Sequence, residues 1–430
     1  MNKKVAFCTL GCKVNHYETE AMAELFQKQG YTVADFGSPA DVYVINTCTV
    51  TNMSDRKSRQ MIRRARKQNP DAFIAVAGCY AQTAPDQVQA IEGVNLVIGT
   101  NQRKHIVELV ERTPKTAHVS AVKNIMDAHE FEQLDINGYS GQTRAYIKIQ
   151  EGCNQFCAYC IIPYARGPIR SRPMEDVLAE TEKLVGNGFT EVVYVGIHVA
   201  SYGLDKGTPL LCALLDRANR IDGLRRIRLS SIEPMTLDQA FIDQIKHCGK
   251  LCHHFHLSLQ SGCDETLRRM NRHYTTAAYK AIVDGLRENY PDVAVTTDIM
   301  VGFPGETEAE FQQTLDFVEQ MQFADAHIFQ YSPRKGTPAA KMEQLPPQVK
   351  EARSKAVLAC TGRSHQKFMA SFIGKTAEVL FEQPHGDGLF EGKTGNYLTV
   401  RAPGTGLSGV YKTVLLEKIE DGAIYGTIRE

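Results

Sequence analysis

The chain has 430 residues, of which 43% are hydrophobic, and it carries equal numbers of basic and acidic side chains, 49 of each. This length predicts two or three domains with ordinary cores, and the balanced charge excludes an overall field that would attract nucleic acid or an anionic membrane. The apolar run at residues 5–10 is too short for a signal peptide, and no stretch is long enough to span a membrane. The twelve cysteines are dispersed. We therefore expect a cytoplasmic protein with reduced thiols.

Residues 1–132 are predicted to form the first domain, in which short apolar strands alternate with helical patterns. The predicted strands are residues 5–10, 42–46 and 73–77. This alternation is typical of βα units around a parallel sheet. The polar segment 130–144 is predicted to be a linker.

Residues 140–370 are predicted to form a second domain with six strands. These are residues 145–150, 191–195, 226–230, 254–259, 293–299 and 326–331. Helical patterns such as 176–186 and 308–320 fill the intervals, and an amphipathic helix follows Pro346-Pro347. Six βα units predict a partial (β/α)6 version of the (β/α)8 barrel, whose chemistry lies at the C-terminal ends of the strands.

Residues 371–430 change character and are predicted to form a small β-barrel. The strand-like runs 376–381, 397–400, 410–419 and 423–428 are separated by glycine-rich turns. The whole chain is therefore predicted to be an α/β protein with an appended β-barrel. This last block contains six Lys/Arg and eight Asp/Glu residues, so it is slightly acidic.

Positive charge is concentrated in two other places. One is a predicted helix that carries Arg56, Lys57, Arg59, Arg63, Arg64, Arg66 and Lys67. The other is the segment that carries Arg166, Arg170 and Arg172. We expect both to neutralise phosphate groups, and a solvated helix face is the alternative explanation.

A C-x3-C-x2-C motif follows the first strand of the predicted barrel. It comprises Cys153, Cys157 and Cys160. Iron–sulfur clusters are commonly held by four thiolates, so three ligands leave one iron open to a non-protein group. The alternative is a zinc loop with a distant fourth ligand, but zinc ligands more often come as C-x2-C pairs, and the usual second pair is absent. The motif therefore predicts a catalytic cluster.

A second set of cysteines has a longer spacing. Cys12, Cys48 and Cys79 each lie just past a predicted strand of the first domain, 36 and 31 residues apart. One βα unit occupies about 30 residues, so three consecutive units would bring these thiols to one edge of the sheet, where open α/β sheets bind ligands. Three buried core cysteines are the other interpretation.

The combined motifs resemble those of a known family. They are residues 9–18 (TLGCKVNHYE), 46–51 (NTCTVT), 78–82 (GCYAQ), 152–172 and 302–307 (GFPGET). Together they are similar to the methylthiotransferases of the radical S-adenosylmethionine superfamily, and residues 371–430 resemble their TRAM domain. Residues 13–17 (KVNHY) and 196–203 (GIHVASYG) are most similar to the enzymes that modify N6-threonylcarbamoyladenosine at position 37 of tRNA.

This resemblance implies two [4Fe–4S] clusters. One, on Cys153, Cys157 and Cys160, binds and reductively cleaves S-adenosylmethionine, and the resulting radical activates C2 of the adenine. The other, on Cys12, Cys48 and Cys79, carries the sulfur of the methylthio group, and a separate S-adenosylmethionine supplies the methyl. It further implies as partners a tRNA anticodon stem-loop and a reducing protein such as flavodoxin or ferredoxin, and we expect a monomer.

Candidate contacts to S-adenosylmethionine lie in the cysteine loop and at the strand ends. They are Tyr159, Gly196, Ser231, Glu233, Gln260 and Val301. Tyr159 stands between two ligands, and Gly196 permits close backbone approach. For each of these residues, an ordinary capping or turn role is the alternative.

Two other functions remain open from the sequence. The same chemistry on isopentenyladenosine-37 of tRNA or on ribosomal protein S12 is the nearer one. A zinc-stapled RNA-binding protein without catalytic activity is the alternative from a different class.

Overall fold

The computed structural model describes residues 3–134, 136–138 and 142–429. Residue 140, which was predicted to begin the second domain, lies outside the described residues. None of the helices in the described part combines the length and apolar character needed to traverse a lipid bilayer.

The first part of the chain is a parallel sheet flanked by helices. Its strands are β1 (Lys4–Thr9), β2 (Thr32–Ala34), β3 (Val42–Thr47), β4 (Phe73–Gly78), β5 (Val94–Val97) and β6 (Val119–Ser120). Its helices are α1 (Lys13–Lys28), α2 (Asn52–Gln68), α3 (Cys79–Thr83), α4 (Pro85–Gln89) and α5 (Ile106–Arg112). The strand order is β2-β1-β3-β4-β5-β6, and every neighbouring pair is parallel. The three predicted strands are confirmed as β1, β3 and β4, whose apolar sequences suit a sheet covered on both faces.

The central part is a partial barrel of six strands with a small two-stranded ribbon beside it. Its strands are β7 (Arg144–Lys148), β8 (Gln150–Glu151), β9 (Arg170–Ser171), β10 (Glu191–Val195), β11 (Arg226–Leu229), β12 (His254–His256), β13 (Ala294–Val301) and β14 (Asp325–Gln330). Its helices are α6 (Ile162–Arg166), α7 (Met174–Gly186), α8 (Leu211–Asn219), α9 (Gln239–Ile245), α10 (Asp264–Arg269), α11 (Thr276–Asn289), α12 (Glu308–Met321) and α13 (Pro347–Ala370). The parallel runs β7-β10-β11 and β12-β13-β14 are joined by single bridges between the β11 and β12 segments. The predicted (β/α)6 architecture is confirmed. The ribbon consists of β8 and β9, which pair with each other.

The six barrel strands have one apolar face and one largely polar face. Val192 and Tyr194 of β10 pack into the main core, which also contains residues of the surrounding helices. Val193 and Val195 instead pack against Val14, at the start of α1. We call the space on this second side of the strands the lumen. The first turn of α1 therefore lies against the lumen, which links the N-terminal sheet to the interior of the barrel.

The C-terminal part is a closed five-stranded barrel, as predicted. Its strands are β15 (Thr376–Gly386), β16 (Leu389–Thr394), β17 (Thr399–Pro403), β18 (Tyr411–Glu420) and β19 (Ala423–Arg429), in the order β15-β16-β17-β19-β18. β16 was not predicted, because its sequence LFEGKT contains charged residues and a glycine in place of an apolar alternation. Gly392 within it is required, since a Cβ there would lie 2.3 Å from the carbonyl oxygen of Leu380.

This small barrel closes the N-terminal mouth of the central barrel. Tyr397 stacks on His254, the first residue of β12, with ring centroids 4.7 Å apart. Arg144, the first residue of β7, pairs with Glu382 at 2.9 Å. Arg226, the first residue of β11, donates to the carbonyl oxygen of Glu378 at 2.8 Å. The sequence carries no local signal for this docking, because its partners lie more than 100 residues apart.

Within the segment 130–144, which the sequence predicts to be a linker, several of the described residues are buried. Glu132 is buried and accepts a hydrogen bond of 2.8 Å from Nε of Arg103. Leu134 and Ile136 are buried in the core of the central barrel. The prediction rested on the polar composition of the segment, which does not reveal that single residues within it are buried.

A buried network of six charges joins the first part to the barrel. Its cations are Arg103, Lys148 and Arg166, and its anions are Glu18, Glu132 and Glu151, each with less than 10% of its surface exposed. Nζ of Lys148 lies 3.0 Å from Glu18 and 2.8 Å from Glu151. Arg166 lies 2.6 Å from Glu18. The three positive and three negative charges cancel, which is the condition under which buried charges are tolerated.

The network keeps its carboxylates ionised. Burial alone would raise the pKa of Glu18, but Arg103, Arg166 and Lys148 together bring it below the ordinary value. Burial also raises the pKa of Glu151, but Lys148, Arg166 and Arg103 hold it well below the ordinary value. Glu18 belongs to α1, and Glu151 belongs to β8. The two parts of the chain therefore share one electrostatic interface.

We predict that Glu18→Gln lowers the free energy of unfolding by about 3 to 5 kcal/mol at pH 7, because it leaves a buried positive charge without compensation. Urea denaturation of the purified protein measures this change. Because the folded-state pKa is depressed, the stabilisation by Glu18 is complete above pH 4.5 and disappears as the pH falls through the lower folded value. The difference between wild type and variant should shrink accordingly in acid.

The matched control is Glu108→Gln, which removes an exposed carboxylate that pairs with Arg112 at 3.0 Å. An exposed pair of this kind contributes less than about 1 kcal/mol. Equal destabilisation by the two substitutions would contradict the assigned role of the buried network.

Candidate active site

Cys12, Cys48 and Cys79 follow three neighbouring strands of the N-terminal sheet. Cys48 comes directly after β3, Cys79 begins α3 after β4, and Cys12 caps the N-terminus of α1 after β1. The strands are adjacent in the order β1-β3-β4, so the three thiols meet at one sheet edge. Gly11 makes this approach possible: its φ is +105°, and a Cβ there would lie 3.0 Å from Sγ of Cys48.

Polar side chains fix the loops that carry these cysteines. Nδ2 of Asn15 donates to the carbonyl oxygens of Leu10 and Thr47, at 2.6 and 3.1 Å, which ties the Cys12 loop to the Cys48 loop. Nε of Arg166 donates to Sγ of Cys79 at 3.1 Å. Burial raises the pKa of Cys79 to about 12 although Arg166 acts in the opposite direction. The free thiol is therefore protonated at neutral pH, whereas ligation to a metal would deprotonate it.

Cys153, Cys157 and Cys160 lie in a loop at the C-terminal end of the barrel. Gly152 has φ +75°, and a Cβ there would lie 1.8 Å from the carbonyl oxygen of Pro168. The loop is fixed by its backbone, because the Cys153 amide donates to Gly167 at 3.0 Å and the Cys160 amide donates to Cys157 at 2.9 Å. Nη1 of Arg272 donates to Sγ of Cys157 at 3.3 Å. Burial raises the pKa of Cys160 to about 12.

The two cysteine sets are close to one another. Helix α3, which begins with Cys79, packs against α6, which begins two residues after Cys160. Arg166, at the end of α6, contacts Sγ of Cys79. A cleft of about 680 Å³ opens beside this contact and is lined by Arg59, Tyr80, Ile161 and Arg334, among others. Both sets therefore border one region, at the junction of the sheet and the barrel.

Neither cysteine set presents its three sulfur atoms close together in the part of the chain that the structure describes. In tetrahedral zinc sites the Zn–S bond is about 2.3 Å, which places the sulfurs roughly 3.8 Å apart. Among the described residues, only His256, Asp298 and His327 present three ligand atoms within 4.8 Å of one another, and neither cysteine set does. In each set at least one pair of sulfur atoms is therefore farther apart than in a tetrahedral zinc site.

The residues predicted to bind the cosubstrate lie in different environments. Gly196 follows β10, and a Cβ there would approach Oε1 of Gln150 to 2.9 Å. Oε2 of Glu233 accepts from Nη2 of Arg272 at 2.7 Å. Ser231 is exposed, whereas the side chain of Val301 is buried in the helix-facing core.

The last two predicted residues are Tyr159, which lies in the cysteine loop, and Gln260, which lies in a strained turn. Tyr159 packs in an apolar cluster that includes Ala158 and Phe303. Gln260 has φ +68°, held by backbone bonds of 2.8 Å to Asp298 and Met300. A non-glycine residue in this conformation is strained, and such strain is concentrated at functional sites.

His198 is a further candidate site residue. The sequence drew attention to it only as part of the motif at residues 196–203. Its two ring nitrogens are shielded from solvent and have no hydrogen-bond partner among the described residues. Nε2 lies 3.9 Å from Glu233. Burial lowers the pKa of His198, so the ring is neutral at pH 7. A buried unpaired imidazole beside a carboxylate, at the C-terminal end of β10, fits a site that accepts a polar ligand.

The prediction that Arg166, Arg170 and Arg172 bind RNA phosphates is wrong. Each is at most 3% exposed. Arg166 joins the buried charge network, Arg170 donates to the carbonyl oxygens of Arg166 and Pro168, and Arg172 pairs with Glu180. The error arose because a run of arginines has the same sequence appearance at the surface and in the interior.

The basic helix α2 is in contrast solvent-accessible. Arg56, Lys57, Arg63, Arg64 and Lys67 are solvent-facing, and none forms an ion pair within the described part of the chain. The helix starts four residues after Cys48, so its positive surface extends from the edge of the cysteine site. Phe156 and Tyr164, 39% and 42% exposed, flank the other cysteine set and pack edge to face.

Two family models match the chain. The model described as uncharacterized protein family UPF0004 matches residues 4–99, and the model of the radical SAM superfamily matches residues 147–318. Among solved structures, the chain is similar to the radical S-adenosylmethionine methyltransferase TsrM from Kitasatospora setae, with a TM-score of 0.57 and 15% identity over 79% of this chain and 77% of that one. At this identity the likeness concerns the fold alone.

Curated relatives align over most of the chain. The threonylcarbamoyladenosine tRNA methylthiotransferase MtaB of Bacillus subtilis is 44% identical, over 93% of this chain and 90% of that protein. The protein of the same name from Thermotoga maritima is 36% identical, over 98% and 96%. A tRNA-2-methylthio-N(6)-dimethylallyladenosine synthase from Acetivibrio thermocellus is also 36% identical, over 99% and 91%. With this identity over nearly the whole chain, the protein belongs to the radical S-adenosylmethionine methylthiotransferase family.

Proposed function

We propose that this enzyme adds a methylthio group to C2 of N6-threonylcarbamoyladenosine at position 37 of tRNA. The observation that carries the proposal is the convergence of two separate cysteine triplets on one junction, since insertion of sulfur at a C–H position needs both a radical source and a sulfur carrier. The relatives that support the threonylcarbamoyl substrate are those of 36 to 44% identity. The same reaction on isopentenyladenosine-37 is the second candidate, supported by relatives of 36 to 38% identity.

The family uses [4Fe–4S] clusters and S-adenosylmethionine. In our proposal Cys153, Cys157 and Cys160 hold the first cluster, and Cys12, Cys48 and Cys79 hold the second. When bound, these groups supply the electron transfer, the radical and the sulfur. The chain orients them: Arg272 and Arg166 each donate a hydrogen bond to one sulfur in one of the two sets, which favours the ligating thiolate.

The protein also excludes water and positions the RNA in this proposal. Cys48, Cys79 and Cys157, each less than 10% exposed, are shielded from solvent. Exposed Phe156 and Tyr164 offer aromatic faces on which unstacked RNA bases can stack. Electrons would come from a flavodoxin or ferredoxin in the cytoplasm, and the enzyme would act as a monomer on the anticodon stem-loop.

The direct test of the substrate is mass spectrometry of tRNA nucleosides from a strain that lacks this gene. We expect the 2-methylthio derivative of N6-threonylcarbamoyladenosine to disappear and the unmodified nucleoside to accumulate. Expression of the intact gene should restore the product. Loss of the methylthio derivative of isopentenyladenosine instead would favour the second candidate.

We predict that the two cysteine sets have separable roles. Reconstituted wild-type protein should bind about eight irons, as two four-iron clusters require. Replacing Cys153, Cys157 and Cys160 by Ala should halve that number and abolish formation of 5′-deoxyadenosine. Replacing Cys12, Cys48 and Cys79 should also halve the iron, but this variant should still cleave S-adenosylmethionine while making no methylthio product.

Iron and acid-labile sulfide analysis and chromatography of the nucleoside products measure these outcomes. Each triple variant is the control for the other, since both remove three thiols. Zinc in place of iron and sulfide would support the non-catalytic alternative. A Cys12, Cys48 and Cys79 variant with the iron content of the wild type would show that these thiols hold no cluster.

We predict that helix α2 provides the main phosphate contacts. Replacing Arg63, Arg64 and Lys67 by Gln should weaken tRNA binding and flatten its salt dependence. Removal of one phosphate contact lowers the slope of log affinity against log salt by roughly 0.7 to 0.9. The control is the same charge change at Lys412, Lys418 and Arg429 on the C-terminal barrel, all of which are exposed. A larger reduction of the slope in the control variant would place the phosphate surface on that barrel instead.

A further inference from the structure

Lys13 lies at the wall of the lumen without a partner of opposite charge among the described residues. It follows Cys12 directly, and its neighbour Val14 packs on Val193 and Val195 of the barrel. Its ammonium group interacts electrostatically with Tyr397, Arg144 and Arg228 at the N-terminal mouth and with His254 and His327 on the lumen wall. Within the described part of the chain, Lys13 forms no ion pair or hydrogen bond.

Nearly every other charge that faces the lumen from the described residues is already paired. Glu191 accepts from Arg228 at 3.0 Å, and Glu382 pairs with Arg144 at 2.9 Å. Asp298 binds His256 at 3.1 Å and His327 at 3.2 Å, one imidazole to each carboxylate oxygen. These pairs occupy the carboxylates near Lys13, so this part of the lumen carries an excess of positive charge.

Lys393 adds to this excess from the C-terminal barrel. Its ammonium donates to Oγ1 of Thr399 at 2.6 Å and lies 5.0 Å from the centre of the Tyr397 ring. Glu382 and Glu391 act on it electrostatically, but among the described residues no carboxylate lies within ion-pair distance. Lys13 and Lys393 are each only partly exposed, and a cation that has lost part of its hydration is costly unless an anion compensates it. Two such lysines from opposite ends of the chain therefore point to an anionic ligand.

Tyr397 lies at the N-terminal mouth of the lumen. Its φ of +72° is unusual for a bulky residue, and the turn is held by Nδ2 of Asn396, which donates to the carbonyl oxygen of Asp292 at 3.0 Å. The ring lies under Arg228, 4.7 Å from its guanidinium, and stacks on His254. The strained Tyr397 therefore lies across the N-terminal mouth, which leaves the side of the cysteine sites as the entrance for a ligand in our inference.

We infer that the lumen holds a receptor for one carboxylate, centred on Lys13, and that its ligand is the carboxylate of the substituent on N6 of the substrate adenine. This inference rests on the proposed function. The threonylcarbamoyl group ends in a free carboxylate, whereas an isopentenyl group is wholly apolar. Enzymes that act on a nucleic-acid base take it out of the stack into a pocket, while the phosphates stay outside. The one anion that a base carries into the lumen is therefore this carboxylate.

The same arrangement disfavours the alternative substrate. An isopentenyl group in the lumen would leave Lys13 without compensation and would place apolar atoms among Arg144, Arg228 and the His256–Asp298–His327 group. A site built for a polar group discriminates strongly against an analogue that lacks it. Lys13 is thus a specificity-determining residue that lies one position from a proposed cluster ligand.

The test compares two RNA hairpins within each protein. One carries N6-threonylcarbamoyladenosine, and the other carries its carboxyl methyl ester, which keeps the shape but removes the charge. We expect the reconstituted wild-type enzyme to bind the acid about 10- to 100-fold more tightly than the ester, as a hydrogen bond to a charged group warrants. Lys13→Gln should reduce this ratio to about one, and Lys13→Arg should retain most of it.

Lys28→Gln is the matched control, since it removes the same charge from the exposed end of the same helix. It should leave the ratio unchanged. Because the ratio is taken within one protein, altered folding or cluster content of a variant changes both affinities alike. A preference for the acid that persists in Lys13→Gln, or its absence from the wild type, would overturn the receptor. Equally weakened binding of acid and ester, with the ratio unchanged, would also overturn it and would show that Lys13 binds an RNA phosphate.

Failure of the proposed function has a different signature. In that case the wild-type enzyme would form no methylthio product on the threonylcarbamoyl hairpin but would do so on an isopentenyl hairpin. Product on the threonylcarbamoyl hairpin together with an unchanged ratio in Lys13→Gln would refute the receptor and leave the function standing.

Discussion

The active region depends on the buried charge network around Glu18. Its residues come from five places: α1, β7, β8, α6 and the segment that follows β5. They therefore connect elements that carry or support cysteines of both sets. Arg166 is the central member: it binds Glu18 and Glu151 and also donates to Sγ of Cys79. Buried ion pairs contribute little net stability, but they penalise every arrangement in which a partner is missing. This penalty defines how the sheet and the barrel are placed relative to each other.

The two sulfur sites share one design with different supports. Each has three thiols on backbone fixed by a glycine of positive φ, Gly11 in one and Gly152 in the other, and each has an arginine that donates to one sulfur. Arg166 is neutralised by Glu18 and Glu151, whereas Arg272 is neutralised by Glu233. Hydrogen bonds to ligating sulfurs tune the reduction potential of a cluster. The different carboxylate environments of the two arginines therefore give each site its own electrostatic setting.

Most of the fold could be predicted from local patterns, whereas long-range burial could not. Strands β1, β3, β4 and β10 are buried apolar runs between turns, and α12 begins with Thr307 and Glu310 in a capping box, so their bounds follow from residues close in sequence. The meeting of Cys12, Cys48 and Cys79 was foreseeable because parallel strands end at one edge. By contrast, Arg166 and Arg172 find their carboxylates through the tertiary fold, and no local pattern distinguishes them from surface arginines. The docking of Tyr397 on His254 could not be foreseen for the same reason.

The position of Tyr397 affects how the enzyme is made. Tyr397, which lies across the mouth of the central barrel, is encoded after both cysteine sets, and its own barrel closes only when β19 pairs with β17 and β18. Domains fold in order from the N-terminus during synthesis. Both cysteine sets are therefore in place while the lumen is still open at its N-terminal mouth. The order of synthesis therefore leaves the lumen open at its N-terminal mouth until residues 371–430 have been made, and the pairing of β19 closes it there.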